Sequence, residues 1–184
     1  MVLVLLADGF EEIEALTPID VLRRAGLSVV SCGLSGSLVR GAHGIYVKAD
    51  TSPEEVDPRE IDMLILPGGM PGATNIDAHP STDIFIDAVK KNGGRLAAIC
   101  AAPLVLGRRG LLAGKRACCY PGFESDLRGA ELSEWGVVTD GNVTTARGMG
   151  VALDFSKELV RLTLGEDKAR AISASIMEHT IEPL

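Results

Sequence analysis

The sequence predicts an α/β fold, a doubly wound and mostly parallel sheet sandwiched between helices. Three observations predict it. Short apolar runs alternate regularly with longer amphipathic stretches along the chain, the strand–helix–strand rhythm of parallel sheets. Hydrophobic residues make up 46% of the chain but aromatic residues only 4%, so the core is expected to be Val, Leu, Ile and Ala, as in buried parallel strands. No repeat, low-complexity tract or linker interrupts the 184 residues, which predicts one domain over 1–184.

The elements follow in order. Residues 1–7 form the first strand. Residues 11–25 are helical, but Thr17-Pro18 reads as an internal cap and first-turn proline, which predicts a short turn between two segments. Gly26 ends the second segment as a C-cap, and 27–33 is the next strand. Residues 38–40 and 45–48, separated by Gly41-Ala-His-Gly44, read as a hairpin. A strand at 62–66 closes on Pro67-Gly-Gly-Met-Pro-Gly72, and a helix follows at 81–91. The strand at 96–99 turns abruptly into a helix that runs to Arg109, with Pro103 in its first turn. A strand lies near 116–119, and strands at 137–139 and 143–146 meet across Asp140-Gly-Asn142. Helices at 151–164 and 168–175 complete the pattern. Ligands of doubly wound sheets bind at the C-terminal ends of strands. Three such ends carry unusual residues, Asp8-Gly-Phe-Glu11, 67–72 and Cys100, and they are expected to converge.

Composition excludes several functions. A formal charge of −7 gives no electrostatic support to a nucleic-acid or anionic-membrane partner. The opening apolar run is too short to span a bilayer, and no secretory signal is evident. Cysteines at 32, 100, 118 and 119 form no CxxC pair, so a reducing, cytoplasmic setting is the default expectation. Cys118 and Cys119 are adjacent, would point to opposite faces of a strand, and read as packing residues. His43, His79 and His179 show no metal-ligand spacing, and no metal site is expected.

Cys100 is the leading chemical candidate. Pinched between strand and helix, it would project from a sharp turn beside free N–H groups, a nucleophile elbow with sulfur in place of oxygen. The helix N-terminus would make the thiol ionise more readily. A buried structural cysteine is the alternative. Glu14 lies in the first turns after strand one, with Glu11 its neighbour at i, i+3 and Glu12 pointing elsewhere. Acidic residues there are ordinarily surface groups that complement the helix dipole. A carboxyl held against a thiolate would instead stay protonated, donate a hydrogen bond to sulfur and serve as general acid or base. Gly69 is either a tight-turn glycine or an oxyanion donor, and the two are compatible. The loop around it lacks the phosphate-loop and dinucleotide spacings.

Ala7-Asp-Gly-Phe-Glu-Glu-Ile-Glu14, Leu66-Pro-Gly-Gly69, Ala97-Ala-Ile-Cys-Ala-Ala-Pro103 and Ala146-Arg-Gly-Met-Gly150 occur in that order. Together they resemble the ThiJ/PfpI superfamily, in the branch of the parkinsonism-associated deglycase, over essentially the whole chain. The resemblance implies a flavodoxin-like α/β sandwich, a homodimer and no cofactor. It implies that Cys100 is the elbow nucleophile, that Glu14 is the protonated glutamate beside it, and that the amides of Gly69 and Ala101 form an anion pocket. One position departs: Tyr120 stands where the best-known branch has a histidine before proline, in Cys119-Tyr-Pro-Gly-Phe123. Tyrosine is a poor base at neutral pH, so a Cys-His dyad with that partner is absent and protease-type chemistry is put in doubt. His43 is the other candidate partner. By the resemblance its hairpin approaches the second subunit's site, although an ordinary turn histidine is the favoured reading. Arg24 and Arg147 could bring positive charge to the pocket or serve a helix end and a sheet edge.

Two functions follow from the resemblance. The first is a glyoxalase- or deglycase-like enzyme acting on reactive carbonyls, with Cys100 as nucleophile, Glu14 as acid/base, and Gly69, Ala101, Tyr120 and His43 around the substrate. The second is a redox-sensing or stress-protective protein whose Cys100 oxidises to sulfinate without turnover. Amidotransferase-like hydrolysis would need a late His-x-Glu signature, and Glu178-His179 is reversed.

Overall fold

The structure, a computed structural model, describes residues 1–178; His179, which the sequence suggests is structural or solvated, lies outside them. In chain order the strands are β1 (Val2–Leu6), β2 (Val29–Gly33), β3 (Leu38–Arg40), β4 (Tyr46–Lys48), β5 (Met63–Leu66), β6 (Arg95–Ile99), β7 (Arg116–Ala117), β8 (Glu131–Leu132), β9 (Val137–Asp140) and β10 (Val143–Ala146). The helices are α1 (Glu12–Arg24), α2 (Gly72–Ala78), α3 (Pro80–Lys91), α4 (Pro103–Arg108), α5 (Ala152–Leu164) and α6 (Glu166–Ser175).

Six strands form the central sheet in the order β2-β1-β5-β6-β10-β9. All neighbours pair in parallel except β9, which returns antiparallel along β10 at the edge. Period-two alternation builds two cores from one sheet. Leu3, Leu5, Leu64, Leu66, Leu96 and Ala98 face a layer containing α2, α3 and α4. Val2, Val4, Leu6, Met63, Ile65, Ala97 and Ile99 face α1, α5 and α6. Both faces are covered, so the central strands β1 and β5 carry apolar residues at every position. This is the predicted flavodoxin-like sandwich. Strand order turns back at β1, with β2 on one side and β5 on the other. The crevice at the C-terminal ends of β1 and β5 is therefore a topological switch point. Among the described residues no helix is long and apolar enough to cross a membrane.

Three elements depart from expectation. α1 runs unbroken through Thr17-Pro18. An interior proline removes one helical hydrogen bond, but Pro18 belongs to the buried stripe Glu14, Ala15, Pro18, Ile19 and Leu22, and tertiary packing holds the helix together. α2 has no periodic apolar signal and is rich in weak helix formers; it forms because Ala73 and Ile76 are fully buried and the Ala73 N–H bonds Gly69 O at 2.9 Å. The strand expected over 116–119 is only two residues long and pairs with β8, leaving Cys118 and Cys119 in a connecting segment, both buried.

Candidate active site

Cys100 follows β6 immediately, and its backbone reverses the strand. Its φ is +65°, a left-handed conformation that costs a non-glycine residue about 1–3 kcal/mol. Hydrogen bonds on both sides hold it there. The Cys100 N–H donates to Ala146 O and its carbonyl accepts from the Tyr120 N–H, each at 2.8 Å. Ala101 and Ala102 are buried behind it, where larger side chains would not fit. Cys100 as a whole is half-buried, and the backbone N–H groups of Gly69 and Ala101 favour charge on its sulfur.

The three strand-end loops converge. The Glu11 N–H donates to Gly68 O at 2.9 Å, and the Gly72 N–H to Gly9 O at 3.2 Å. Gly69 has φ +82°, and a Cβ there would lie 2.4 Å from the Glu11 nitrogen. A Cβ on Gly68 would lie 2.6 Å from Cys100 Cβ and 2.7 Å from Glu14 Oε2. The paired glycines thus let the second loop pass between the thiol and the acid.

Glu14 is 1% exposed because it occupies the buried stripe of α1. Its carboxyl accepts from the Gly68 N–H at 3.0 Å, and the Met149 backbone and the Cys100 thiol lie near enough to shift its titration. Burial pushes its pKa up to about 7; the bonds to Cys100 and Gly68 oppose the rise, and the Glu11 charge adds to it. Burial also pushes the Cys100 thiol up, to about 12, with the Glu14 charge and hydrogen bond adding to the rise and the Gly69 and Ala101 amides opposing it. This reverses the expectation of a thiol that ionises more readily on its own. α4 has only six residues, and its end cannot outweigh desolvation and a carboxylate neighbour. The two groups behave as one unit. Together they hold two protons in a place that tolerates one negative charge, the first leaving at about 7 and the second at about 12. In the singly charged state one proton remains for the two groups, and the neighbouring amides bias which of them keeps it. Gly69 and Ala101 favour charge on sulfur; Gly68 and Met149 favour it on the carboxylate.

Glu12, which sequence reasoning leaves aside, is 4% exposed and anchors the β3–β4 hairpin. Its Oε1 accepts from the backbone N–H of His43 at 2.9 Å and of Ile45 at 3.4 Å, and its Oε2 lies 3.0 Å from His43 Nδ1. Burial would raise this carboxyl, but hydrogen bonds from its own N–H and from His43 and Ile45 hold it below the usual carboxylate range. Its stabilisation is therefore present above the ordinary value of 4.5 and is lost as pH falls through the lowered folded value. Glu12→Ala is expected to lose about 1–2 kcal/mol at neutral pH, measured by urea unfolding, with the difference shrinking in acid. His43 is also 3.4 Å from Glu11; its contacts are with these carboxylates and not with Cys100. The donor atoms of Glu11, Glu12 and His43 lie within 4.8 Å of one another, but Glu12 is already committed to the hairpin.

The other candidates fall into place around this centre. Tyr120 meets Cys100 through its backbone, while its half-exposed ring lies against Gly148. Arg24 pairs with Asp20 one turn earlier, a helix-end role. Arg147 donates to Glu134 O at 3.1 Å and its backbone joins Gly136, a sheet-edge role. His79 caps α3 by accepting from the Ser81 N–H. Cys118 contacts Thr145 and the Gly136 carbonyl, a packing role.

Comparison with known proteins agrees with this architecture. The DJ-1/PfpI family model matches residues 1–162. The chain is 34% identical to protein dj-1beta of Drosophila melanogaster over 178 residues, covering 95% of each. It is 34% identical to a deglycase of Pyrococcus abyssi, over 88% of this chain and 98% of the other, and 32% identical to a glutathione-independent glyoxalase of Caenorhabditis elegans, over 88% and 87%. The solved structure of oxidized Toxoplasma gondii DJ-1 superposes with a TM-score of 0.92 at 34% identity, covering 97% of this chain and 98% of that one. With the elbow, the paired glycines and the buried glutamate in one crevice, and a family model spanning most of the sequence, the chain belongs to the DJ-1/PfpI family.

Proposed function

We propose that the chain is a cofactor-independent enzyme that converts reactive α-oxoaldehydes to α-hydroxy acids, with Cys100 as nucleophile and Glu14 as acid and base. The relatives support a DJ-1-type role of glyoxalase, deglycase or stress-protective kind. The observation that carries the enzymatic reading is the Glu14–Cys100 pair, which releases its first proton at about 7, the pKa range suited to acid–base work at neutral pH.

With methylglyoxal the sulfur adds to the aldehyde carbon while its proton passes to the Glu14 carboxylate, and the carbonyl pair moves to oxygen. The amides of Gly69 and Ala101 stand where that oxyanion develops. Glu14 gives its proton to the oxyanion, completing the hemithioacetal. The carboxylate then takes the proton from the sulfur-bearing carbon as the electron pair moves to the ketone oxygen, which is protonated to give an enediol. The hydroxyl on the sulfur-bearing carbon gives up its proton and the neighbouring carbon gains one, leaving a lactoyl thioester on Cys100. Water hydrolyses the thioester, releasing lactate and restoring the thiol, so the balance is methylglyoxal plus water to lactate. Glycated groups that present the same carbonyl would enter by the same addition. Lactate formed from methylglyoxal by the purified protein tests the reading; no lactate above the uncatalysed rate would remove it. A second copy of the chain is proposed to cover the α1–hairpin face, where Ile13, Leu16, Ile45 and Tyr46 are exposed, and equilibrium sedimentation decides it.

A second reading rests on the oxidized state in which the Toxoplasma gondii relative was solved and on the N–H groups around the Cys100 sulfur. Cys100 would take two oxygens from two peroxide molecules, giving sulfinate and two waters. Intact mass after mild peroxide, with the gain localised to Cys100, supports it; an unmodified Cys100 opposes it.

A further inference from the structure

We infer that the carbonyl substrate carries an aryl or comparably bulky apolar group, seated in a recess beside Cys100 on the ring of Tyr120. This deepens the enzymatic reading and rests on it. The recess has a volume of about 290 Å³ and is lined by Tyr120, Pro121, Met149 and Val151, with Gly148 as its floor and Arg147 at its rim. The Arg147 guanidinium is engaged with Glu134 O, so the side chains facing the space are almost entirely apolar. The Tyr120 ring is free to be covered: Tyr120 is 52% exposed, and Met149 beside it is 51% exposed.

The recess borders the chemistry across Gly148. The Tyr120 N–H bonds the Cys100 carbonyl at 2.8 Å. A Cβ on Gly148 would lie 3.4 Å from the Tyr120 ring and 4.0 Å from Glu14 Oε1. One glycine therefore separates the aromatic wall from the acid that moves the proton. A carbonyl bonded to the sulfur and within reach of Glu14 has its substituent beside this wall. A methyl group would leave most of the space to water; a flat apolar group would displace that water and stack on the ring. Histidine at position 120 would present a smaller, polar edge. The tyrosine that removes the family's histidine thus supplies an apolar platform.

The experiment compares kcat/KM for phenylglyoxal and methylglyoxal, each divided by its rate of addition to free N-acetylcysteine. The wild type is expected to favour phenylglyoxal by about tenfold. Tyr120→Ala is expected to cut that ratio about tenfold, and Tyr120→Phe to keep it. A ratio near one in the wild type, or a preference that survives Tyr120→Ala, overturns the proposal. Alkylation of Cys100 by phenacyl bromide and by bromoacetone, followed by intact mass, reads the recess without turnover. If neither aldehyde is consumed but phenacyl bromide is favoured in a Tyr120-dependent way, the enzymatic reading fails and the apolar seat stands. If both aldehydes are consumed with no aryl preference, the seat fails and the enzymatic reading stands.

Discussion

Cys100→Ser is expected to lower lactate formation from methylglyoxal by about a thousandfold or more, because the variant keeps the site and loses its nucleophile. Serine is close in size to cysteine, and the bonds that hold the elbow, from Cys100 N–H to Ala146 O and from Tyr120 N–H to Cys100 O, are made by backbone. The left-handed conformation at φ +65° is imposed by the chain around it and not by sulfur. The variant should therefore melt within a few degrees of the wild type. What changes is the first step. The Glu14–Cys100 pair releases its first proton at about 7 because burial raises the Glu14 carboxyl, and the resulting carboxylate stands ready to take the thiol proton. An alkoxide at the same place would demand a far stronger base than Glu14, since an alcohol is much less acidic than a thiol. A residual rate within tenfold of the wild type, measured on protein shown to be folded, would mean that catalysis does not pass through sulfur. The same variant should also fail to gain two oxygens in peroxide, because that gain is assigned to sulfur alone.

The parts of this site legible in the sequence are those with a local backbone signature. An apolar run ending in Ile99-Cys100-Ala101-Ala102-Pro103 announces a strand, a sharp reversal and a first-turn proline, and the observed elbow follows it. Two adjacent glycines after β5 announce a close approach, though not what they approach. Glu14 is readable in retrospect from spacing, since it falls on the stripe that buries Ala15, Pro18, Ile19 and Leu22. Glu12 is not readable that way. Its burial comes from a hairpin some thirty residues on, whose N–H groups fold down onto its carboxylate, and no local pattern encodes that contact. The same holds for the approach of Gly148 to Glu14, delivered by the turn after β10. The raised thiol of Cys100 is not legible in the sequence for a related reason. A helix N-terminus is visible in sequence, whereas desolvation of the sulfur depends on everything packed against it. α2 carries no local signal, because most of its residues are weak helix formers and burial of Ala73 and Ile76 holds it.

Glu14→Gln is expected to flatten two pH dependences at once. Folded, the Glu14 carboxyl keeps its proton up to about 7, against an ordinary value of 4.5. Between these values the folded state binds more protons than the unfolded one, so this group's contribution is whole below the ordinary value and is lost as pH rises through the folded value. The span amounts to about 3 kcal/mol. Glutamine has no proton to lose, and its amide oxygen can still accept from the Gly68 N–H. The variant should lack the decline and be the more stable protein above pH 8, as read by urea unfolding across pH. Reactivity should move the other way. In the wild type, alkylation of Cys100 should rise through about 7, because both singly charged forms of the pair carry the same proton count and titrate together. In Glu14→Gln the thiol titrates alone, and burial holds it above its ordinary value of 9.0, so alkylation at pH 7.5 should slow by about tenfold or more. A mere loss of packing would lower stability at every pH and leave the alkylation midpoint where it was. A variant that keeps a midpoint near that of the wild type would show that the sulfur and the glutamate do not share a proton, and the mechanism would lose its acid.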